Sequence, residues 1–334
     1  MEISQKKIFI IIIYILLICT EIAAQKNRST SNNYEIKFIR SVASLKDIES
    51  DNFFNKISNL ILGDENSQFQ KPVSLIAKDS VDLIILDQGL NGLVSINTQK
   101  GDFDLIESKI TFPSLVSICK YKEDSYLFTD SKNNKVYVFN YKTNTIKLLN
   151  DSLLLDKPTG IGFLKSRNEI WVSETGNHTV LVLNESGQLL KRIGKRGIMA
   201  GEFNFPTSIW VDNNEEVYIV DALNFRIQIF DSDGNFISLF GEQGDATGYL
   251  ARPKGIATDS YGNIYIADAL FHTVQIFNRE GVYLSQFGSQ GRKKGKFWLP
   301  NGLYIDENDR IYIADSYNSR IQIFKLIKNT YEKE

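Results

Sequence analysis

Six acidic residues recur along this 334-residue chain at nearly even steps: Asp87, Asp130, Glu174, Asp221, Asp268 and Asp315, separated by 43, 44, 47, 47 and 47 residues. Carboxylates gathered into a ring can coordinate a hard cation such as calcium. They can equally accept hydrogen bonds from N–H groups of their own turns and pair with the arginine of the same motif, Arg226 or Arg320. Recurrence in all six copies favours the local role, because a functional site does not need six equivalents. The two histidines, His178 and His272, each follow such an acid by four residues and read as turn residues of the repeat. Neither a Gly-x-Ser-x-Gly nucleophile elbow nor a His-Glu-x-x-His motif is present.

The elements that carry these acids are copies of one unit. The stretch RPKGIATDSYGNIYIADALFHTVQIF (Arg252–Phe277) returns 47 residues earlier as FPTSIWVDNNEEVYIVDALNFRIQIF and 47 residues later as LPNGLYIDENDRIYIADSYNSRIQIF. All six prolines, Pro72, Pro113, Pro158, Pro206, Pro253 and Pro300, open a copy. Runs such as Ile264–Ala267 and Val274–Phe277 alternate with period two, which predicts strands. Turn residues such as Asp212-Asn213-Asn214 and Tyr261-Gly262-Asn263 separate them. Four strands of about 5–6 residues, three hairpins and one longer link fill such a period. That is a four-stranded blade, not a helix pair. The link is patterned too: Gly194, Gly197, Gly201 and Phe203 precede Pro206, with counterparts before Pro253 and Pro300. Glycine permits positive φ where the chain crosses from one blade's outer strand to the next blade's inner strand.

The predicted fold is therefore all-β: a six-bladed β-propeller of four-stranded blades over residues 56–330. The last copy runs out after three strands. Ile57–Leu62, which resembles the outer strand Phe236–Phe240, is expected to complete that blade and close the ring. Closure removes exposed strand edges. Within a 25–55 extension, Tyr34–Val42 reads as a strand without an assigned place.

Residues 1–24 read as a signal peptide: Lys6-Lys7, then twelve uncharged residues from Ile8 to Cys19, then Ala23-Ala24. Twelve helical residues span about 18 Å, short of the ~30 Å hydrocarbon layer. Export to a periplasm or beyond follows, with an uncleaved segment as the alternative and the only predicted membrane attachment. The net charge of −2 predicts neither nucleic acid nor an anionic membrane as partner. Cys119, the one cysteine outside the leader, reads as a buried small hydrophobe.

The motif PKGIATDSYGNIYIADALFHTVQIF, with Asn177-His178 in the third copy, resembles NHL repeats. That family includes protein-binding, RNA-binding, sensor and enzyme members, so the resemblance implies the fold more than the activity. In blades of this type the residue after each proline should ring one mouth of the central channel: Val73, Ser114, Thr159, Thr207, Lys254 and Asn301. Peptidyl-hydroxyglycine lyases similar to this fold place zinc-binding histidines at some of these positions. None here is histidine, and two histidines in the chain cannot make a three-histidine site. Gluconolactonase-like propellers hold calcium there, but this ring offers Asn301 without an acid, and Lys254 would repel a cation. No metal or cofactor is predicted.

Charge marks the remaining candidate. Lys191, Arg192, Lys195 and Arg196 cluster at one link, Arg252 and Lys254 flank Pro253, and Arg292, Lys293, Lys294 and Lys296 lie beside Phe297 and Trp298. These define a basic, partly aromatic sector on the loop face of blades three to six. The expected binding residues are Thr159, Thr207, Arg252, Lys254, Arg292, Lys293, Lys294, Trp298 and Asn301. The predicted function is that of an exported, monomeric, non-catalytic binding or scaffold module recognising a protein or anionic ligand of the cell envelope. A metal-dependent lyase or lactone hydrolase at the channel mouth, and a sensor component of a larger assembly, are the alternatives.

Overall fold

The computed structural model describes residues 34–48, 68–150 and 153–328. The expected signal peptide lies outside them. Six four-stranded antiparallel sheets follow one another along the chain as the blades of a propeller. Blade 4 shows the plan: Pro206–Val211, Val217–Asp221, Arg226–Phe230 and Phe236–Phe240, paired in that order from the inside outwards. The other inner strands are Pro72–Ala77, Leu115–Lys120, Pro158–Leu164, Pro253–Thr258 and Leu303–Ile305. Each of the six acids ends the second strand of its blade.

Burial follows position in the blade. The second and third strands of blades 4 and 5 are wholly buried, because neighbouring blades cover both their faces. Val217, Ile219 and Phe230 pack with Trp171, Val180 and Phe203 of the preceding blade and link. Outer strands such as Leu189–Ile193 are mostly exposed.

The ring is closed by an N-terminal strand, but not by the segment expected. Tyr34–Val42 is the outermost strand of the last blade, next to Arg320–Lys328. The phenyl rings of Phe38 and Phe324 meet edge to face at 5.5 Å. Ile57–Leu62 lies outside the described residues, and the closing strand that is described belongs to the extension. Residues 38–325 form one compact unit, and the far ends of the two terminal strands, 34–37 and 326–328, group with each other.

The residue two after each proline reveals why several copies read Pro-x-Gly. A Cβ on Gly160 would sit 2.0 Å from the Thr207 carbonyl oxygen, and one on Gly255 would sit 2.5 Å from that of Asn301. Adjacent inner strands therefore approach backbone to backbone. Gly255 N–H donates across the gap to the Asn301 carbonyl at 2.9 Å.

Candidate functional site

In each of the first five blades a bulge follows the residue that faces the strand-ending acid, and in blades 1, 3, 4 and 5 that residue is the proline. Pro206 faces Asp221 and Ile209 faces Ile219, so one extra residue stands on the inner strand. The same shift occurs after Pro72, Leu115, Pro158 and Pro253. Bulges re-aim side chains. In blades 1, 3, 4 and 5 they lie at the residues that follow the prolines. Val73, Thr159, Thr207, Lys254 and Asn301 all line a central cavity of about 420 Å³. Ser114 departs from the expected ring, for its Oγ hydrogen-bonds Ser131 Oγ at 2.8 Å and it does not line the cavity. Cys119 does line it. The residue is half-buried, and burial of the thiol pushes its pKa well above the ordinary range.

The six acids are consumed by their own turns. Asp87 accepts from the backbone N–H groups of Gln70, Lys71, Gly89 and Leu90 at 2.8–3.1 Å. Asp268 does the same with Ala251, Arg252, Leu270 and Phe271. In blades 4 and 6 a buried arginine joins in: Arg226 Nε donates to Asp221 at 2.8 Å, and Arg320 Nε to Asp315 at 2.7 Å. Glu174 takes Thr179 Oγ1 and Arg192. No cluster of three or more metal-ligating groups occurs among the described residues.

The arginines reach further. Arg320 also donates to the carbonyls of Arg292, Lys293 and Lys296, and Arg226 to those of Ile198, Met199 and Glu202. Buried glutamines complete the grip. Gln322 accepts from Gly295 N–H and donates to the Lys296 carbonyl, as Gln228 does with Gly201 and Glu202. The link loops are thus fixed from beneath through their backbones, leaving their side chains outward.

Arg292, Lys293 and Lys294 stand exposed, and neither they nor Arg196 and Arg252 form an ion pair among the described residues. The guanidinium of Arg292 lies 5.0 Å from the centre of the Trp298 ring. On the opposite face, Lys78, Lys122, Arg167 and Arg279 are all paired with carboxylates. An apolar component, missed in the sequence, joins the loop face. Leu223, Leu270 and Tyr317 are 51%, 57% and 59% exposed. They sit two residues past the acid in blades 4, 5 and 6, where blades 1 to 3 carry Gly89, Lys132 and Gly176. Ile198 and Met199 are exposed at the tip of the link before blade 4. The signal was present as a departure from the repeat at one position, visible only with the copies aligned in phase.

The histidines are inter-blade clips. His178 Nδ1 accepts from Phe205 N–H at 3.1 Å, and His272 Nδ1 from Leu299 N–H at 3.0 Å, both in the following blade. Asn134 Oδ1 does the same for Lys157 at 2.9 Å. Lys157, Phe205 and Leu299, each just before a proline, all adopt positive φ. Where Phe225 holds the equivalent place and cannot accept, Arg252 N–H turns instead to Asp268 of its own blade.

Burial holds both imidazoles below the ordinary value of 6.5, and the charge of Arg196 adds to this at His178. A group kept neutral in the fold and protonated more readily when unfolded contributes stability that is full above 6.5 and is lost as pH falls below it. Urea unfolding at about pH 8 and about pH 5.5 should show this loss. His178→Asn with His272→Asn, copying the clip of Asn134, should keep stability at the higher pH and flatten the profile.

Residues 146–241 match the family model described as 6-bladed beta-propeller, and residues 297–324 match NHL repeat. None of the curated proteins matches the sequence. An auxiliary nutrient binding protein from Bacteroides thetaiotaomicron superposes with a TM-score of 0.62 at 16% identity, covering 77% of this chain and 69% of that one. One of the same description from Bacteroides ovatus gives 0.62 at 13% identity, over 89% and 77%. Virginiamycin B lyase from Staphylococcus aureus gives 0.59 at 13% identity, over 88% and 100%. At these identities the likeness is one of fold. With the family matches and the sheet order together, the chain is a six-bladed β-propeller whose residues 297–324 match an NHL repeat.

Proposed function

We propose that this propeller is an exported binding module that recognises a partner protein with an acidic surface through the loop face of blades 4 to 6. The observation that carries the reading is the pinned basic loop at 292–296. Its carbonyls are held by Arg320 and Gln322, while its cationic side chains form no ion pair among the described residues and Arg292 lies over Trp298, whose carbonyl accepts from the N–H of the exposed Tyr317. Rigid loops lower the ordering cost of association. A mixture of aromatic, apolar and arginine side chains is the usual composition of an interface core, and unpaired cations steer an acidic partner. Proteins named for nutrient binding share the fold, which supports a binding role.

The lyase or lactonase alternative draws no support from the carboxylate ring, because those oxygens are already engaged within their turns.

Reversing Arg292, Lys293 and Lys294 to glutamate tests the reading. Stability should change by about 1 kcal/mol or less, since the backbone rather than these side chains anchors the loop. Cross-linking capture from a cell-envelope extract should yield a partner with the wild-type protein and lose it with the triple variant. Undiminished capture by the folded variant would overturn the proposal.

A further inference from the structure

The cavity holds a second feature, distinct from the outward loops. Lys254 lines it, half-buried, and makes no ion pair or hydrogen bond with any described residue. Burial and the neighbouring charge of Arg252 both weaken its hold on its proton, so the structure pays for this cation without a counter-charge. Its neighbours at the same level of the ring also have polar side-chain groups with no hydrogen-bond partner among the described residues. Thr207 Oγ1, on the preceding blade, is sealed from solvent and bonds to no described residue. The side-chain amide of Asn301, on the following blade, likewise bonds to no described residue.

Deeper in the same cavity the wall becomes aromatic. Trp210 and Tyr304 line it with their rings 5.8 Å apart at 66°. Trp210 is fixed there by its indole N–H, which donates to Thr258 Oγ1 at 2.9 Å. The volume of about 420 Å³ falls within the range of small-molecule sites, about 300–1,000 Å³. Lys120, Asp259, Asp306 and Glu307 also line the cavity, but Lys254 is the cation at the level of Asn301, and one carboxylate beside it matches its one charge. A doubly charged phosphate would bring an excess charge into a partly desolvated site.

We propose that the channel binds a small organic monocarboxylate, its carboxylate held by Lys254 Nζ and the Asn301 amide and its apolar body lying along Trp210 and Tyr304. The site is independent of the loop-face interface: reversal of Arg292, Lys293 and Lys294 leaves it intact, so the two proposals fail separately.

Titration calorimetry with octanoate and 3-phenylpropionate, each against its neutral amide, tests it on the intact protein. Saturable binding of one ligand per chain is expected for at least one carboxylate, with its amide at least tenfold weaker. Lys254→Met should erase the preference for carboxylate while keeping the wild-type near-ultraviolet circular dichroism, and Lys254→Gln serves should the methionine variant misfold. Absence of saturable binding by either carboxylate, equal binding of acid and amide, or unchanged carboxylate affinity in a folded Lys254 variant would each overturn the proposal.

Discussion

Asp221→Ala is expected to lower the unfolding free energy by about 3–5 kcal/mol, the loss usual when one partner of a buried ion pair is removed. Asp221 is fully buried and accepts from Asn204 N–H, Asn224, Arg226 and Gln228. Removing it strands the Arg226 guanidinium, whose own side chain is 10% exposed. The same arginine holds the link at Ile198, Met199 and Glu202, so that loop should loosen as well. Asp87→Ala makes the informative contrast. Asp87 is equally buried but bonds only backbone N–H groups, so no cation is left behind and a smaller loss is expected. Equilibrium denaturation of both variants checks the order. Equal losses would show that the arginine is not the decisive partner.

Gly160→Ala should destabilise by about 1–3 kcal/mol or more, as overpacking does when nothing nearby can rotate away. The new Cβ would meet the Thr207 carbonyl oxygen at 2.0 Å, the Ile209 nitrogen at 2.6 Å and the Ser208 carbonyl carbon at 2.8 Å, all backbone atoms. Blades 3 and 4 would have to part at the level of the channel ring, shifting Thr207. Gly262→Ala separates this effect from backbone strain. Gly262 has φ of +80° but nothing within 4 Å of its missing Cβ. It should therefore lose only about 1–2 kcal/mol, the cost of placing an L side chain in the left-handed region. Thermal unfolding of the two variants gives the comparison, and a larger loss at Gly262 would contradict the account of Pro-x-Gly.

Much of this architecture was legible because a repeat multiplies every local signal. Six prolines and six acids located the inner strands and second strands, and alternation supplied the remaining strands. What stayed hidden depends on distance in space. Tyr34–Val42 has strand character, but nothing local distinguishes it from Ile57–Leu62 as the strand that pairs with the C-terminus. The bulges that place Thr207 and Lys254 in the channel follow from pairing register, which proline marks but does not spell out. Gln228, Gln275 and Gln322 read as ordinary interior positions of a strand, yet each holds a link loop. Leu223, Leu270 and Tyr317 carry no sign in the sequence that they stand exposed.

Hydrogen exchange on the wild-type protein, with and without its captured partner, tests the central claim most directly. Added protection is predicted at the links 195–203 and 289–298 and at the turns 222–224, 269–271 and 316–318, the loop face of blades 4 to 6. Protection confined to the turns at 121–125, 165–168, 212–216, 259–263 and 306–309, on the opposite face, would contradict it.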